Sequence, residues 1–274
     1  MTDELNQING AAPTQRRTLL TSASAADDGG LIAVADVAKA AALAGVGDRC
    51  RLFGGIAVML HVLRLGLDLP LRQTGDADHG VQPFVLQDGG LIKELKKLGY
   101  DNPHFSNTWE RQVDERRTAT TDLLIPSYTS RARDSKEVGG IVTTEVPGLA
   151  QAFLRPPVEI AARFRLSDGS RLDADIALAD AVGMLVLKCG ARLVRDEERD
   201  ASDLWRCLEI AFAEKVSPSD LPTDPIVGNL ADALHEELGR AGRSIPAIVR
   251  DLTPETAGKL VTRIQALLLQ VTGR

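Results

Sequence analysis

The sequence predicts an α+β fold, a mixed sheet with flanking helices followed by a helical C-terminal region. Three observations predict it. Strand-like and helix-like runs interleave over residues 51–147. The stretch 158–178 then alternates about Ser167-Asp168-Gly169-Ser170, whose Asp-Gly dipeptide marks a hairpin turn. From Ala179 onward only helical periodicity recurs. No internal repeat interrupts this order. The division that follows is a flexible tail over residues 1–30, a core over 31–178 and a helical region over 179–274.

Each element follows from local sequence. Residues 1–30 are polar and end in Asp27-Asp28-Gly29-Gly30, which reads as a tail. Residues 31–44 are Ala-rich with helical spacing, and Gly45 and Gly47 close them. Residues 51–53 read as a first strand and 55–65 as the helix behind a Gly54–Gly55 turn. A connector holding Pro70 leads into a second strand over 72–81. Residues 90–98 form an amphipathic helix with lysines on one side. The run 104–113 alternates weakly, and 117–126 is a strand by its Thr and β-branched content. Residues 126–140 read as a long loop and 141–147 as a strand. Helical spacing covers 181–194, 203–213, 225–238, 244–252 and 254–268, with Thr253-Pro254 a favourable start.

Composition narrows the function classes. The chain has 274 residues, 44% of them hydrophobic, enough for a sizeable core. Aromatic residues are only 4%, which argues against a module built on stacked bases. A net charge of −6 argues against a broad non-specific nucleic-acid surface, though not against a local basic patch. Cys50, Cys189 and Cys207 form no CxxC pair, so neither a disulfide framework nor a zinc ribbon is indicated. They fit a reducing cytosol. With no bilayer-length apolar run and no basic-then-apolar leader, the expectation is a cytoplasmic protein with no membrane partner.

The chemistry concentrates around residues 51–80. Asp76 and Asp78 are two residues apart on an expected strand, so they project from one face with Ala77 between them. Neighbouring carboxylates repel unless a cation shares them. Mg²⁺ suits, since it takes one or two carboxylates plus substrate phosphates. Gly54–Gly55 opens a helix, and a helix N-terminus binds phosphate oxygens. A phosphate cradle followed by a carboxylate pair is the equipment of phosphoryl or nucleotidyl transfer. Asp122, at the head of the apolar run Leu123-Leu124-Ile125, is the best third carboxylate, because a strand Asp is costly without a partner. The plainer reading places it on a solvent face. Asp173 and Asp175 form another Asp-x-Asp pair, but alternation on a hairpin strand explains them as outward-facing.

Arg72 and Thr74 are expected to alternate with the two aspartates, Arg72 relieving their repulsion or meeting a phosphate. Lys188 lies in a helix that is apolar nearly all round, so it needs an anion or a path to water. Arg192, four residues on, should share its face and, with Lys188, meet a triphosphate. Asp200 and Asp203 open the next helix, where spacing by three also fits a cap and first turn. The four histidines show no metal-ligand spacing.

Together, Gly54–Gly55, Arg72-x-Thr74-x-Asp76-x-Asp78, Asp122-Leu-Leu, Lys188 and Arg199-Asp200-x-x-Asp203-Leu204 resemble the AbiEii/AbiGii nucleotidyltransferases, which include the MenT toxins of mycobacterial toxin–antitoxin systems. These belong to the polymerase-beta-like nucleotidyltransferase superfamily. The resemblance spans roughly residues 50–213. It implies a polymerase-beta-like core and a Mg²⁺-dependent, two-metal transfer of NMP from an NTP, CTP above all, to a tRNA 3′ end. It also implies a toxin with a cognate antitoxin protein as partner. By position, Asp76, Asp78 and Asp122 would hold the metals, Gly54 and Gly55 the nucleotide phosphates and Lys188 the triphosphate, with Asp203 as the downstream acidic residue. Arg111, Arg116, Arg117, Arg131, Arg133 and Lys136 would supply an acceptor footprint. Two departures stand out: Ala77 and His79 sit where bulky apolar residues are usual, and the glycine pair lacks the Ser found in many relatives. Two other readings remain open: nucleotidylation of a small molecule or protein, and an inert binding or antitoxin-like partner that keeps the fold. For the leading reading, Asp78→Ala and Lys188→Ala should abolish transfer with little change in melting.

Overall fold

A computed structural model describes residues 17–72, 74–129, 133–194, 197–224 and 228–274. In chain order the elements are β1 (Thr18–Thr21), α1 (Ala25–Leu43), β2 (Cys50–Phe53), α2 (Gly54–Leu65), β3 (Asp76–Val81), α3 (Pro83–Asp88), α4 (Gly90–Lys97), β4 (Thr108–Gln112), β5 (Thr118–Pro126), β6 (Arg133–Val138), β7 (Ile141–Val146), α5 (Leu149–Leu154), β8 (Val158–Arg165) and β9 (Arg171–Leu178). There follow α6 (Ala181–Val194), α7 (Glu198–Ala213), the short pair β10 (Thr223–Asp224) and β11 (Gly228–Asn229), α8 (Leu230–Leu238), α9 (Ile245–Val249) and α10 (Pro254–Thr272). The fold is α+β, with a mixed sheet and flanking helices.

Among the described residues the main sheet has nine strands, in the order β1-β8-β9-β2-β3-β5-β7-β6, with β4 paired to β5. β3 runs antiparallel to β2 and parallel to β5. The hairpin β8–β9 turns at the expected Asp-Gly, and its register is unbroken from Val158–Leu178 to Arg165–Arg171. Asp173 and Asp175 are exposed on β9 while Ala174 and Ile176 are buried, as alternation implies. Leu52, Ile56, Leu60, Leu123, Phe164, Leu178 and Leu204 are among the residues that fill one continuous core.

Four expectations need correction. First, the tail of residues 1–30 holds at most for residues 1–16, which lie outside the described residues. Thr18–Thr21 pairs in parallel with β8, and α1 begins at Ala25, capped by Ser24, whose hydroxyl accepts from the Asp27 amide. Asp27-Asp28-Gly29-Gly30 is the first part of that helix. A Cβ on Gly29 would sit 2.1 Å from the Thr118 carbonyl oxygen, and one on Gly30 2.8 Å from that of Gly75. The glycines are thus a contact surface, and the buried Asp28 ties the helix to the β8–β9 turn by accepting from Ser167 N–H (2.9 Å) and Oγ–H (2.6 Å). Second, β3 starts at Asp76, so Arg72 and Thr74 precede the strand. Third, the expected loop over 126–140 contains β6, an edge strand whose Ser135–Glu137 segment is exposed and shows no apolar alternation. Fourth, α3 and α5 were not foreseen, each a short helix of six residues.

Two buried histidines hold the sheet and its helices in place. His61 on α2 donates from Nε2 to the Ala179 carbonyl at 2.8 Å, so its Nδ1 is the acceptor for Arg64. His79 on β3 contacts Thr121 Oγ1 at 2.9 Å, and that hydroxyl donates to the Ala77 carbonyl, so His79 donates from Nδ1. Burial pushes His61 down to about 4, with Arg64 adding to the effect, and pushes His79 down to about 3. Both are therefore neutral in the fold at pH values where a histidine in an unfolded chain, titrating near 6.5, gains a proton. The unfolded state binds more protons over that window, so stability is full above pH 6.5 and falls as pH drops towards 4. The urea midpoint should decline from pH 7 to pH 4.5, and His79→Gln should flatten that decline.

Candidate functional site

Residue 54 is where β2 turns into α2, and its backbone has φ +74°, a left-handed conformation that favours glycine. A Cβ there would lie 1.9 Å from Asp78 Oδ2. Both constraints demand glycine at this corner. The first turn of α2 has no side-chain cap, since Phe53 is the N-cap residue. A Cβ on Gly55 would lie 2.8 Å from Arg72 Nη2 and 2.9 Å from Thr74 Cγ2, so these two side chains lie against the same turn.

The strand register assembles the carboxylates. Phe53 is opposite Asp78 across the antiparallel β2–β3 pair, and Asp78 is opposite Asp122 across the parallel β3–β5 pair. Residues in register project to one face. Asp78 and Asp122 both line a cleft of about 340 Å³, with Gly54 at one side and Lys188 of α6 across it. Asp76 shares their face of β3 but is exposed and is not among the lining residues. Burial raises the Asp122 carboxyl above its usual range, and the Asp76 charge adds to this. The Thr108 hydroxyl, donating to Asp122 Oδ1 at 2.7 Å, offsets part of the rise.

Lys188 does not reach for water. It is buried, and its Nζ donates to Asp203 at 2.9 Å and Asp200 at 3.1 Å. Burial alone would lower its pKa, but the two carboxylates outweigh that and hold it above the ordinary lysine value. Two of the three ammonium N–H bonds are used in this way, and the residue lines the cleft. Asp203 is the hub: it also accepts from Arg72 at 3.1 Å and Arg206 at 3.0 Å. Burial pushes its carboxyl up, and Lys188 and Arg72 more than reverse that. Arg206 in turn donates to the Pro70 carbonyl at 2.8 Å, which fixes the connector that delivers Arg72.

The expected partnership of Arg192 with Lys188 is not found. Arg192 is buried against α8, with its Nε 3.2 Å from Glu237 and Nη1 donating to the Glu197 carbonyl, and it is not among the residues lining the cleft. Helical spacing put it near the Lys188 face, but on a helix buried all round, adjacent positions meet different neighbours. The acceptor footprint also changes. Arg111 pairs with Asp36, and Arg117 pairs with Asp114 and Asp168; both line a different groove, beside α1. Arg131 lies outside the described residues. Asn107, Thr108 and Arg206 were missed: Asn107 and Thr108 act through partners on other strands, and Arg206, beside its i,i+3 partner Asp203, also reaches the Pro70 carbonyl.

The anionic side chains of the cleft are the Asp78 and Asp122 carboxylates, and there is no His or Cys among its lining residues. That suits a hard cation. Among the described residues no group of three His, Cys, Asp or Glu side chains is gathered to hold an ion. Mg²⁺ needs no such group, since one or two carboxylates with waters and phosphate oxygens complete its shell. Asp78 and Asp122 fit that demand.

No protein-family profile matches the chain, and no curated protein matches it significantly.

The ion cluster changes the expectation for Lys188. Removing it breaks two buried ion pairs at once, although Asp203 keeps Arg72 and Arg206, and breaking a buried pair costs about 3–5 kcal/mol. Lys188→Met should lower the urea-derived stability by that amount. Asp78→Asn keeps the side chain's shape at the Gly54 corner and should cost less on the same measure than Lys188→Met.

Proposed function

We propose that the chain is a Mg²⁺-dependent nucleotidyltransferase of the polymerase-beta-like type, transferring NMP from an NTP to an acceptor hydroxyl. The observation that carries this reading is the register of Asp78 on Asp122 beside the glycine corner that opens α2. Acidic strand residues at an uncapped helix N-terminus, with a buried lysine across the cleft, are the parts that phosphoryl chemistry needs.

The residues divide the work. The first turn of α2 receives phosphate oxygens at the Gly54 and Gly55 amides, with Arg72 lying against Gly55 to share their charge. Asp122, whose Oδ1 is held by the Thr108 hydroxyl, accepts the proton of the attacking hydroxyl. The hydroxyl oxygen bonds to the α-phosphorus as the bond to the β-phosphate oxygen breaks, and pyrophosphate leaves. Lys188 offers its remaining N–H to the departing charge. Asp203 positions Lys188 and Arg72. Asp78 and Asp122 would hold Mg²⁺, which when bound would supply charge neutralisation to the phosphates. Catalysis is then mainly positioning and electrostatics.

The resemblance to the AbiEii/AbiGii family extends the proposal to a tRNA 3′ end as acceptor, CTP as donor, and a toxin held in check by a cognate antitoxin. Incubation with labelled NTPs, Mg²⁺ and total tRNA, against a lysate protein fraction, identifies the acceptor. The expected result is labelled tRNA in the parent. Asp122→Asn should lose roughly 10²-fold or more of the rate, and Asp78→Asn should lose transfer with melting preserved. Undiminished transfer by both variants would overturn the assignment.

A further inference from the structure

Asn107 takes no part in the phosphate chemistry, yet it lines the same cleft as Asp78, Asp122 and Lys188. Its backbone carbonyl accepts from Leu123 N–H at 2.9 Å, which pins it to β5 just ahead of β4. Its side-chain Oδ1 accepts from Thr144 Oγ1–H at 3.2 Å. With the oxygen on Thr144, its Nδ2 donates to no described protein group.

The cleft is asymmetric. It crosses the sheet from β2 to β7, three strand spacings or roughly 14 Å. Gly54 and Asp78 lie at the β2–β3 side. Leu124, Thr144, Val146 and Pro147 lie at the β5–β7 side, faced by Met184 and Leu187 of α6. Apolar walls with one placed donor set are how pockets orient a flat heteroaromatic ring.

We propose that Asn107 reads the base of the donor nucleotide, that Thr144 fixes its amide so that the NH₂ faces that base, and that the site therefore prefers cytosine and adenine to uracil and guanine. The chemistry is a ring atom. Cytosine and adenine carry an unprotonated ring nitrogen beside their amino group, an acceptor for Nδ2–H. Uracil and guanine carry an N–H at the matching position, which opposes another donor. The inference rests on the nucleotidyl-transfer reading but concerns a different end of the cleft.

The test is equilibrium binding of ATP, CTP, GTP and UTP to the full chain with Mg²⁺ and no acceptor, by calorimetry. CTP and ATP should bind more tightly than UTP and GTP by about 3- to 10-fold, the worth of one hydrogen bond. Thr144→Val releases the amide to rotate, and Asn107→Ala removes it; each should compress that ratio towards one. Each variant is read as a ratio within itself, so a general loss of affinity does not imitate the effect. Equal binding of all four NTPs by the parent, or a ratio that both variants preserve, overturns this inference and leaves the transfer reading standing. Binding of no NTP overturns both.

Discussion

The Asp78 carboxylate occupies the space that a side chain at residue 54 would need, and the site is built outward from that contact. Because residue 54 is a glycine with φ +74°, the chain turns from β2 into α2 without a side chain between the helix start and the strand beside it. The partial positive charge of a helix N-terminus thereby lies next to a carboxylate that belongs to a different element. Asp78 is held there by two ladders at once, antiparallel to β2 and parallel to β5. A slip of one residue in either ladder would turn it to the opposite face, where His79 now sits buried. Backbone geometry therefore fixes the position of Asp78.

The buried ions across the cleft follow a different logic. Among the described residues, Asp200 and Asp203 face Lys188, Arg72 and Arg206, three cations to two carboxylates. Such a cluster is weak evidence of stability, since well-packed apolar residues often do as well. Its location accounts for it better. The surplus positive charge lies beside a cleft whose other wall is acidic, and Lys188 is the member that reaches the lining. Opposed fields of this kind suit a ligand that carries charge at one end and needs a counter-charge at the other.

Much of the site was legible in the sequence because its signals are local. Asp78 shows by period two with Asp76, which stays exposed outside the cleft lining, Asp122 by being out of place ahead of an apolar strand, and the glycine pair by its position before a helix. The parts that failed depend on tertiary contact. Gly29 and Gly30 read as a tail because glycine is the same letter in a loop and in a close helix approach; only the Thr118 and Gly75 carbonyls distinguish the two. Arg192 was assigned by spacing to the face of Lys188, but Glu237, 45 residues away, decides where it goes. β6 was invisible because an exposed edge strand has no buried side to impose alternation. Asn107 is a lone polar residue ahead of a weak strand, and its significance depends on Thr144, 37 residues on.

The boundary near residue 179 separates classes of secondary structure but does not separate the cleft. Lys188 and Asp203 come from the helical region, Arg72 and Asp78 from the region before it. Ala179 itself donates its N–H to the Leu52 carbonyl and accepts from His61, so the junction is tied to β2 and α2 on both sides. Asp203 cannot orient Arg72 unless α7 is docked, and Lys188 cannot face Asp78 unless α6 is. A ligand that bridges the two walls binds only the docked arrangement, so its binding free energy adds to the stability of the helical region on the sheet. Recognition and the packing of the C-terminal helices are therefore linked through one buried carboxylate, which is why Asp203 matters to a cleft it does not line.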